Sequence, residues 1–591
     1  MRSRAPLTRP RLARVAAVAV VLVAATGCVS IPESSSVREG RAASAQDEQP
    51  LSRNQPNGPR PGAGRKEIAT GYLNAMLAFP PAPDVVRQFL TPDASAGWNP
   101  EDGLVVYTES DQPRLTEKAE TVAFSARGVG SLDDRGTWTT ARRGDRQIGV
   151  DFRMGRVNGE WRLINPLPGS YVDEDYFADY YDPFSLYFFD PGKTILAPDP
   201  VHMLLGDSLA TALVKDLLRG PTAGIEGAVS SSAPTTATVD VAVSISSSGV
   251  AEVPLTEEIL QLSPDDRRYF ATQLVWTLKQ VPEVRAITVT VNGQRIDLGG
   301  STVISVDSFA GFDPAGFAAS RQLYGLTGQG LVSVSETDTT TVPGPLLAVS
   351  RDARSAAVEV DATQAAVVSS DGGTVSVGGI NTADTGTSVW YIGGTDVIRP
   401  SWDIHGVLWI ADNRRDGGHI YTATDGGTNE IKAPGIEGRQ IETIAVSRDG
   451  VRLAVVVGSG KDRELLIAVI DRDPTDNSDV SLRQARRVRT VDGSTAGISS
   501  AAWISPTSIA ALVDDAGGPP QPAEVRIDGA PVASPFPGFV PIKPTALASA
   551  PNEDTPTAIG DAQGIIYEVT ATAGWIPFGG SAAIRAPFYP G

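Results

Sequence analysis

From about Ser301 onward helical periodicity vanishes and one unit recurs: a short apolar strand, a tight turn of small and acidic residues, then a second apolar strand. The clearest copies are 347–353 ahead of 356–360, 400–406 ahead of 407–411, 445–450 ahead of 451–457, and 502–507 ahead of 509–513. Aligning Val349, Trp402, Val446 and Trp503 gives spacings of 53, 44 and 57 residues, and a fainter copy lies at 546–550. A single unit of this length cannot bury both of its faces. Repeated units can, when short antiparallel sheets stack radially as the blades of a β-propeller and so protect their edges. Residues 301–591, at roughly 50 per unit, predict five or six blades. A pair of two-sheet sandwiches is the alternative arrangement.

Upstream the pattern is mixed. Ile68, Tyr72, Met76 and Phe79 form a helical stripe widened by Leu73 and Leu77, and Pro80-Pro81 ends it. A short helix is expected over 85–90, followed by strands at 104–107, 120–126, 148–153 and 161–164. The turn at Asp133-Asp134-Arg135-Gly136 and the hairpin signal Asn158-Gly159 separate strands. These features predict an α+β domain over 66–180, which resembles the cone-shaped fold of the nuclear transport factor family. Its end is rich in rings: Tyr171, Tyr176, Phe177, Tyr180, Tyr181, Phe184, Tyr187, Phe188 and Phe189. They fit an interdomain joint, or else a platform for a sugar or a partner. Over 181–300 the expected order is β-α-β-β-α-β-β, another α+β module. Leu217-Leu218-Arg219-Gly220-Pro221-Thr222 and Gln273-Leu274-Val275-Trp276-Thr277-Leu278, with Pro282 and Val284 after them, resemble the GerMN domain. That resemblance implies an extracytoplasmic setting and no catalytic residues.

At the amino end Arg2, Arg4, Arg9, Arg11 and Arg14 precede an uncharged run over 15–25. This is a secretory signal, and it is shorter than the roughly 20 residues a spanning helix needs. Ala25-Thr26-Gly27-Cys28 closes the run and resembles the lipobox of bacterial lipoproteins, with Ala25 where Leu is usual. The resemblance implies removal of residues 1–27 and a Cys28 carrying S-diacylglycerol and N-palmitoyl groups, which anchor the chain to the outer face of the cell membrane. Residues 28–65 read as this lipidated cysteine and a flexible linker, since Ser, Pro, Gly, Gln and Asn cannot bury enough surface to offset ordering. Such a linker spans roughly 35 Å.

Cys28 is the only cysteine, so neither a disulfide framework nor a thiolate metal site is available. The net charge is -19, and the five signal arginines leave the remainder near -24, a surface that repels nucleic acid and anionic headgroups. None of the three histidines, His202, His405 and His419, is spaced from another as a metal ligand would be, and His405 is expected in a solvated turn. Gly458-Ser459-Gly460-Lys461 fails as a phosphate loop because Asp462 follows and Val455 stands in the first glycine position. The acidic turns Asp412-Asn413 to Asp416-Gly417-Gly418 and Asp425-Gly426-Gly427 lack the ligand spacing of a calcium loop. The expectation is a non-enzyme without metal or cofactor. Paired carboxylates, whose separation is set in space, stay open.

Taken in order, lipobox, linker, α+β domain, GerMN module and propeller cover the whole chain. Together with Cys28-Val29-Ser30-Ile31-Pro32-Glu33-Ser34-Ser35-Ser36, they resemble the LpqB lipoproteins of actinobacteria. The resemblance implies an accessory that associates with the extracytoplasmic region of the sensor histidine kinase MtrB and modulates the Mtr two-component system, affecting cell-wall homeostasis and division. The alternative is a propeller that binds or cleaves cell-wall glycan, with Trp402, Trp409, Trp503, Tyr391 and Tyr421 stacking on sugars.

Overall fold

The helical stripe of the first module forms only as far as Met76: Leu77 is the C-cap, and Phe79 and Pro80 lie beyond the helix end. In the computed structural model the helix Arg65–Met76 buries Ile68, Ala69, Tyr72, Leu73, Ala75 and Met76. The structure describes residues 55–108, 114–141, 147–316, 321–380, 386–425, 427–488, 497–515, 518–552, 554–570 and 574–591. All of them belong to one unit of the chain, Asp47–Gly591. The signal region and Cys28 lie outside the described residues.

Beneath that helix a sheet runs in the order Glu160–Leu163, Gln147–Val157, Thr121–Leu132, Leu104–Thr108, Ser170–Asp173. Tyr72, Phe124 and Phe152 meet at its centre, and the Tyr72 hydroxyl accepts the Leu167 N–H at 3.0 Å. Asn158 and Gly159 have φ of 53° and 87°, the left-handed pair that a tight hairpin turn demands. The helix expected over 85–90 is displaced to Pro83–Arg87. Proline is pre-organised for the first helical turn, so it sets the start. A further helix, Pro92–Gly97, also begins on proline, with Thr91 as its cap.

In the second module the expected order omits a strand. Leu196–Leu204 pairs antiparallel with Tyr181–Phe189 along its length. Its Pro198-Asp199-Pro200 core reads as a break in sequence, yet the strand belongs to a two-stranded sheet that leaves the prolines an edge. The strand expected over 239–245 shrinks to Ser244–Ile245 and an isolated bridge from Val239 to Leu255. Helix Pro264–Leu278 touches both Tyr181–Phe189 and Ala286–Val291. Its fully buried Gln273 explains a polar residue in a core helix. The side-chain oxygen accepts Ser232 N–H and the amide donates to Tyr187 O, both at 2.8 Å. Both ends of the Gln273 amide are thus answered, as burial requires.

The remainder forms a propeller-like array. Among the described residues there are six antiparallel sheets of three to five strands. Their first strands contact one another in a ring: Ser355–Val358, Ser401–Trp402, Ile441–Val446, Ile498–Ser505, Pro544–Ala548 and Arg585–Phe588, which returns to Ser355–Val358. The ring closes through the last strand, because Arg585–Phe588 pairs with Leu323–Thr327 of the first sheet. One part of the expected repeat was out of register. Leu347–Ser350 is a short helix with Val349 exposed, and the true unit is Ser355–Val358, a turn, then Gln364–Val368. In that turn the Ala362 N–H reaches Glu359 O, as Gly406 reaches Asp403 O and Gly450 reaches Ser447 O. Val358 is therefore the counterpart of Trp402 and Val446, and both spacings become 44 residues.

Candidate functional site

The densest buried chemistry of the chain lies where its three modules meet. Part of the ring-rich stretch builds the joint: Tyr180 stacks on Phe79 with centroids 4.3 Å apart, and Phe177 lies 5.2 Å from Trp138 and 5.6 Å from the His202 ring. Phe184 and Phe188 enter the second module's core, and Phe189 packs with Leu196 and Trp276. Ala530 of the propeller completes the Phe177 cluster. Beside it Trp138 donates to Thr140 Oγ1, which donates in turn to Gly529 O, each at 3.0 Å.

Two histidines face aspartates across the boundary between the second module and the propeller, and they do so reciprocally. His202 of the second module holds Asp528 of the propeller, Nε2 to Oδ2 2.9 Å. His405 of the propeller faces Asp190 of the second module at 3.8 Å. His405 is thus not in a solvated turn: its side chain is 5% exposed, because the turn that carries it is capped by the neighbouring module. Asp403 accepts the His405 and Val407 N–H groups, the Trp409 indole and Arg472 Nη2, the last at 2.6 Å. Arg452 reaches across to Pro198 O at 2.7 Å. Asp199, next to it, accepts Thr222 N and Oγ1 at 2.6 and 2.9 Å, which gives the Gly220-Pro221-Thr222 motif a fixed place.

The electrostatics follow from burial. Burial and the Arg472 charge hold His405 below the ordinary imidazole value, against the pull of the surrounding aspartates. Burial pushes Asp199 and Asp449 up. Asp528 is as deeply buried, but the His202 hydrogen bond and the charges of Arg526 and His202 outweigh that effect and hold it low. His419 lies apart, on an outer strand, bonded to Glu430 at 2.8 Å and Asp416 at 3.2 Å. Its hydrogen bond to Glu430 holds it above the usual value. Of the acidic-turn residues, Asp412 is fully buried and accepts Thr395 N, Asp396 N, Tyr391 Oη and Arg414 Nε. Trp402, Trp409, Trp503, Tyr391 and Tyr421 are all buried and fill spaces within and between sheets.

Three family models match in the order of the modules. Residues 58–178 match the Lipoprotein LpqB N-terminal domain, 185–297 the sporulation and spore germination domain, and 329–590 the Lipoprotein LpqB beta-propeller domain. This chain belongs to the LpqB lipoprotein family. A Lipoprotein LpqB of Thermobifida fusca is 29% identical over 543 residues, covering 81% of this chain and 85% of that relative. One of Streptomyces avermitilis is 27% identical over 604 residues, covering 96% of each. Among solved structures, the first GerMN domain of the sporulation protein GerM from Bacillus subtilis is 20% identical, covering 21% of this chain and 97% of its own, with a TM-score of 0.19.

In this LpqB chain the three-module junction also opens a cleft of about 860 Å³, lined by Thr140, Thr222, Arg452, Arg483 and Arg487 among others. The arginine-dense stretch 483–487 was its signal in sequence. Arg483 is held by Asp471, with Nε to Oδ2 2.8 Å, and Arg487 by Glu464 at 3.2 Å. No described helix of this LpqB chain is long and apolar enough to cross a membrane. Among the described residues no three His, Cys, Asp or Glu are placed to hold a metal ion.

Proposed function

We propose that the mature chain begins at Cys28, carries S-diacylglycerol and N-palmitoyl groups there, and is held by them on the extracytoplasmic face of the cell membrane. In that position it binds the sensor histidine kinase MtrB and modulates the Mtr two-component system, with effects on cell-wall homeostasis and division. Membership in the LpqB lipoprotein family carries this reading. Residues 28–65 serve as the tether, and 66–180, 181–300 and 301–591 as the modules. The six sheets count as six propeller blades. The first module is of the nuclear transport factor type, a reading supported by its long strand Gln147–Val157 and the helix laid across its sheet.

The physics is confinement. A chain restricted to a layer of roughly 35 Å meets a membrane partner at a raised effective concentration, so weak complementary surfaces suffice. Modules locked together by buried contacts present those surfaces in fixed relation. The test is crosslinking in intact cells followed by identification of captured peptides. Peptides of the MtrB extracytoplasmic region are expected in complexes with the native chain and lost with Cys28→Ser, which also leaves the membrane fraction. Complexes without MtrB, or a Cys28→Ser chain that stays on the membrane, would overturn the reading. The glycan alternative has no observation in its favour, since its five stacking rings are buried.

A further inference from the structure

Two arginines reach the axial channel of the propeller. Arg399 stands just before the strand Ser401–Trp402, and Arg448 just after Ile441–Val446. They line one cavity with Ser401, Trp402, Trp503 and Ser549. Arg448 is 6% exposed, while Arg399 keeps some accessible surface. Each guanidinium is held by a main-chain oxygen alone. Arg399 Nη1 donates to Pro587 O at 3.4 Å, and Arg448 Nη2 donates to Pro590 O at 2.9 Å.

Among the described residues no carboxylate stands within ion-pair distance of either group. Asp449, next to Arg448 in sequence, turns away, accepting Val451 N–H and facing Arg452. Arg448 Nη1 and Trp402 Nε1 are buried donors with no hydrogen-bond partner in the protein. Burial pushes both arginines down to about 10, which leaves them charged at neutral pH. A charge withdrawn from water is costly unless an opposite charge meets it. Here a chain of net charge -19 sets two cations in one channel with no side-chain carboxylate among the residues that line it, and Gly591 also lines it beside Arg448.

We propose that the axial channel binds a single oxyanion group, carboxylate or phosphate, gripped by Arg399 and Arg448 with Trp402 Nε1 as a further donor. The guanidinium fork matches two oxygens of either group. The cavity of about 50 Å³ admits one such group, since a single water needs roughly 10 to 15 Å³ in the same measure. Gly316, in the segment that enters the propeller, holds the Arg448 stem in place: a Cβ there would lie 2.7 Å from Arg448 Cγ and Cδ. The site is therefore pre-formed. The same turn carries Gly450, packed on the His405 ring, so an occupant adjoins the module junction.

The test is thermal unfolding of the full mature chain at fixed ionic strength in chloride, inorganic phosphate or acetate. A short peptide with a free terminal carboxylate, and its amide, form two further arms. The midpoint is expected to rise saturably with phosphate or acetate, or with the free-acid peptide but not the amide. The first result assigns a free small anion and the second the end of a longer ligand. Arg399→Gln and Arg448→Gln should each weaken the response at least tenfold, and Arg399→Lys should retain part of it if Arg448→Gln does not fold. Identical midpoints in every anion, or undiminished responses in the variants, would overturn the proposal. Neither outcome bears on the kinase reading, whose readout is capture in cells.

Discussion

His405 shows how losing its water changes the titration of one side chain. In the folded chain burial and Arg472 favour the neutral ring, whereas the unfolded chain titrates it near the ordinary value of about 6.5. Below that pH the unfolded state takes up a proton that the folded state refuses. The stability due to His405 is therefore fully present above about pH 6.5 and is lost as the pH falls. Asp190, Asp403 and Asp449 face the ring and moderate the loss, and Arg472 deepens it. Thermal unfolding of the wild type and His405→Asn should show the wild type losing ground to the variant between pH 7.5 and 5. A gap independent of pH would remove the argument. The sequence placed His405 in a turn correctly and its exposure wrongly, because a turn is buried or solvated according to what docks on it.

Among turns and strands, the recurring unit makes a local prediction. Gly406 and Gly450 take φ of 73° and 70°, and Ala362 takes 57° in the equivalent turn. A Cβ in the left-handed region costs about 1 kcal/mol. Ala362→Gly should accordingly stabilise the chain by up to about 1 kcal/mol, less the extra freedom glycine gives the unfolded state. Chemical denaturation of the pair decides it, and a destabilised variant would show that the turn is not strained. The same turn explains the misread register. The first copy has Ala where its sisters have Gly, and the Ser-Arg-Asp run at 350–352 mimics the turn nine residues upstream of its true place.

For the assembled chain, the reciprocal His–Asp contacts carry the argument. His202 and Asp528 come from different modules and are both buried, so removing either strands the other. A double-mutant cycle of His202→Ala and Asp528→Ala should give a coupling of about 1 to 3 kcal/mol, read by denaturation at neutral pH. Additive single effects would mean that the modules do not depend on this contact. Ring closure works at the same level. Leu323–Thr327 finds its inner neighbour in Arg585–Phe588, more than 250 residues later, and no local pattern announces such a pair.

While the order of modules drew also on resemblance, periodicity and turn chemistry were enough for the amino-terminal helix, the hairpin at Asn158-Gly159 and the strand-turn-strand repeat. These features rest on neighbours within a few residues. The buried strand through Pro198-Asp199-Pro200, the closing strand, the covered His405 and the arginine channel appear only once distant segments pack. Burial, ion pairing and edge protection are set by what arrives from elsewhere in the chain, and a linear pattern does not encode that arrival.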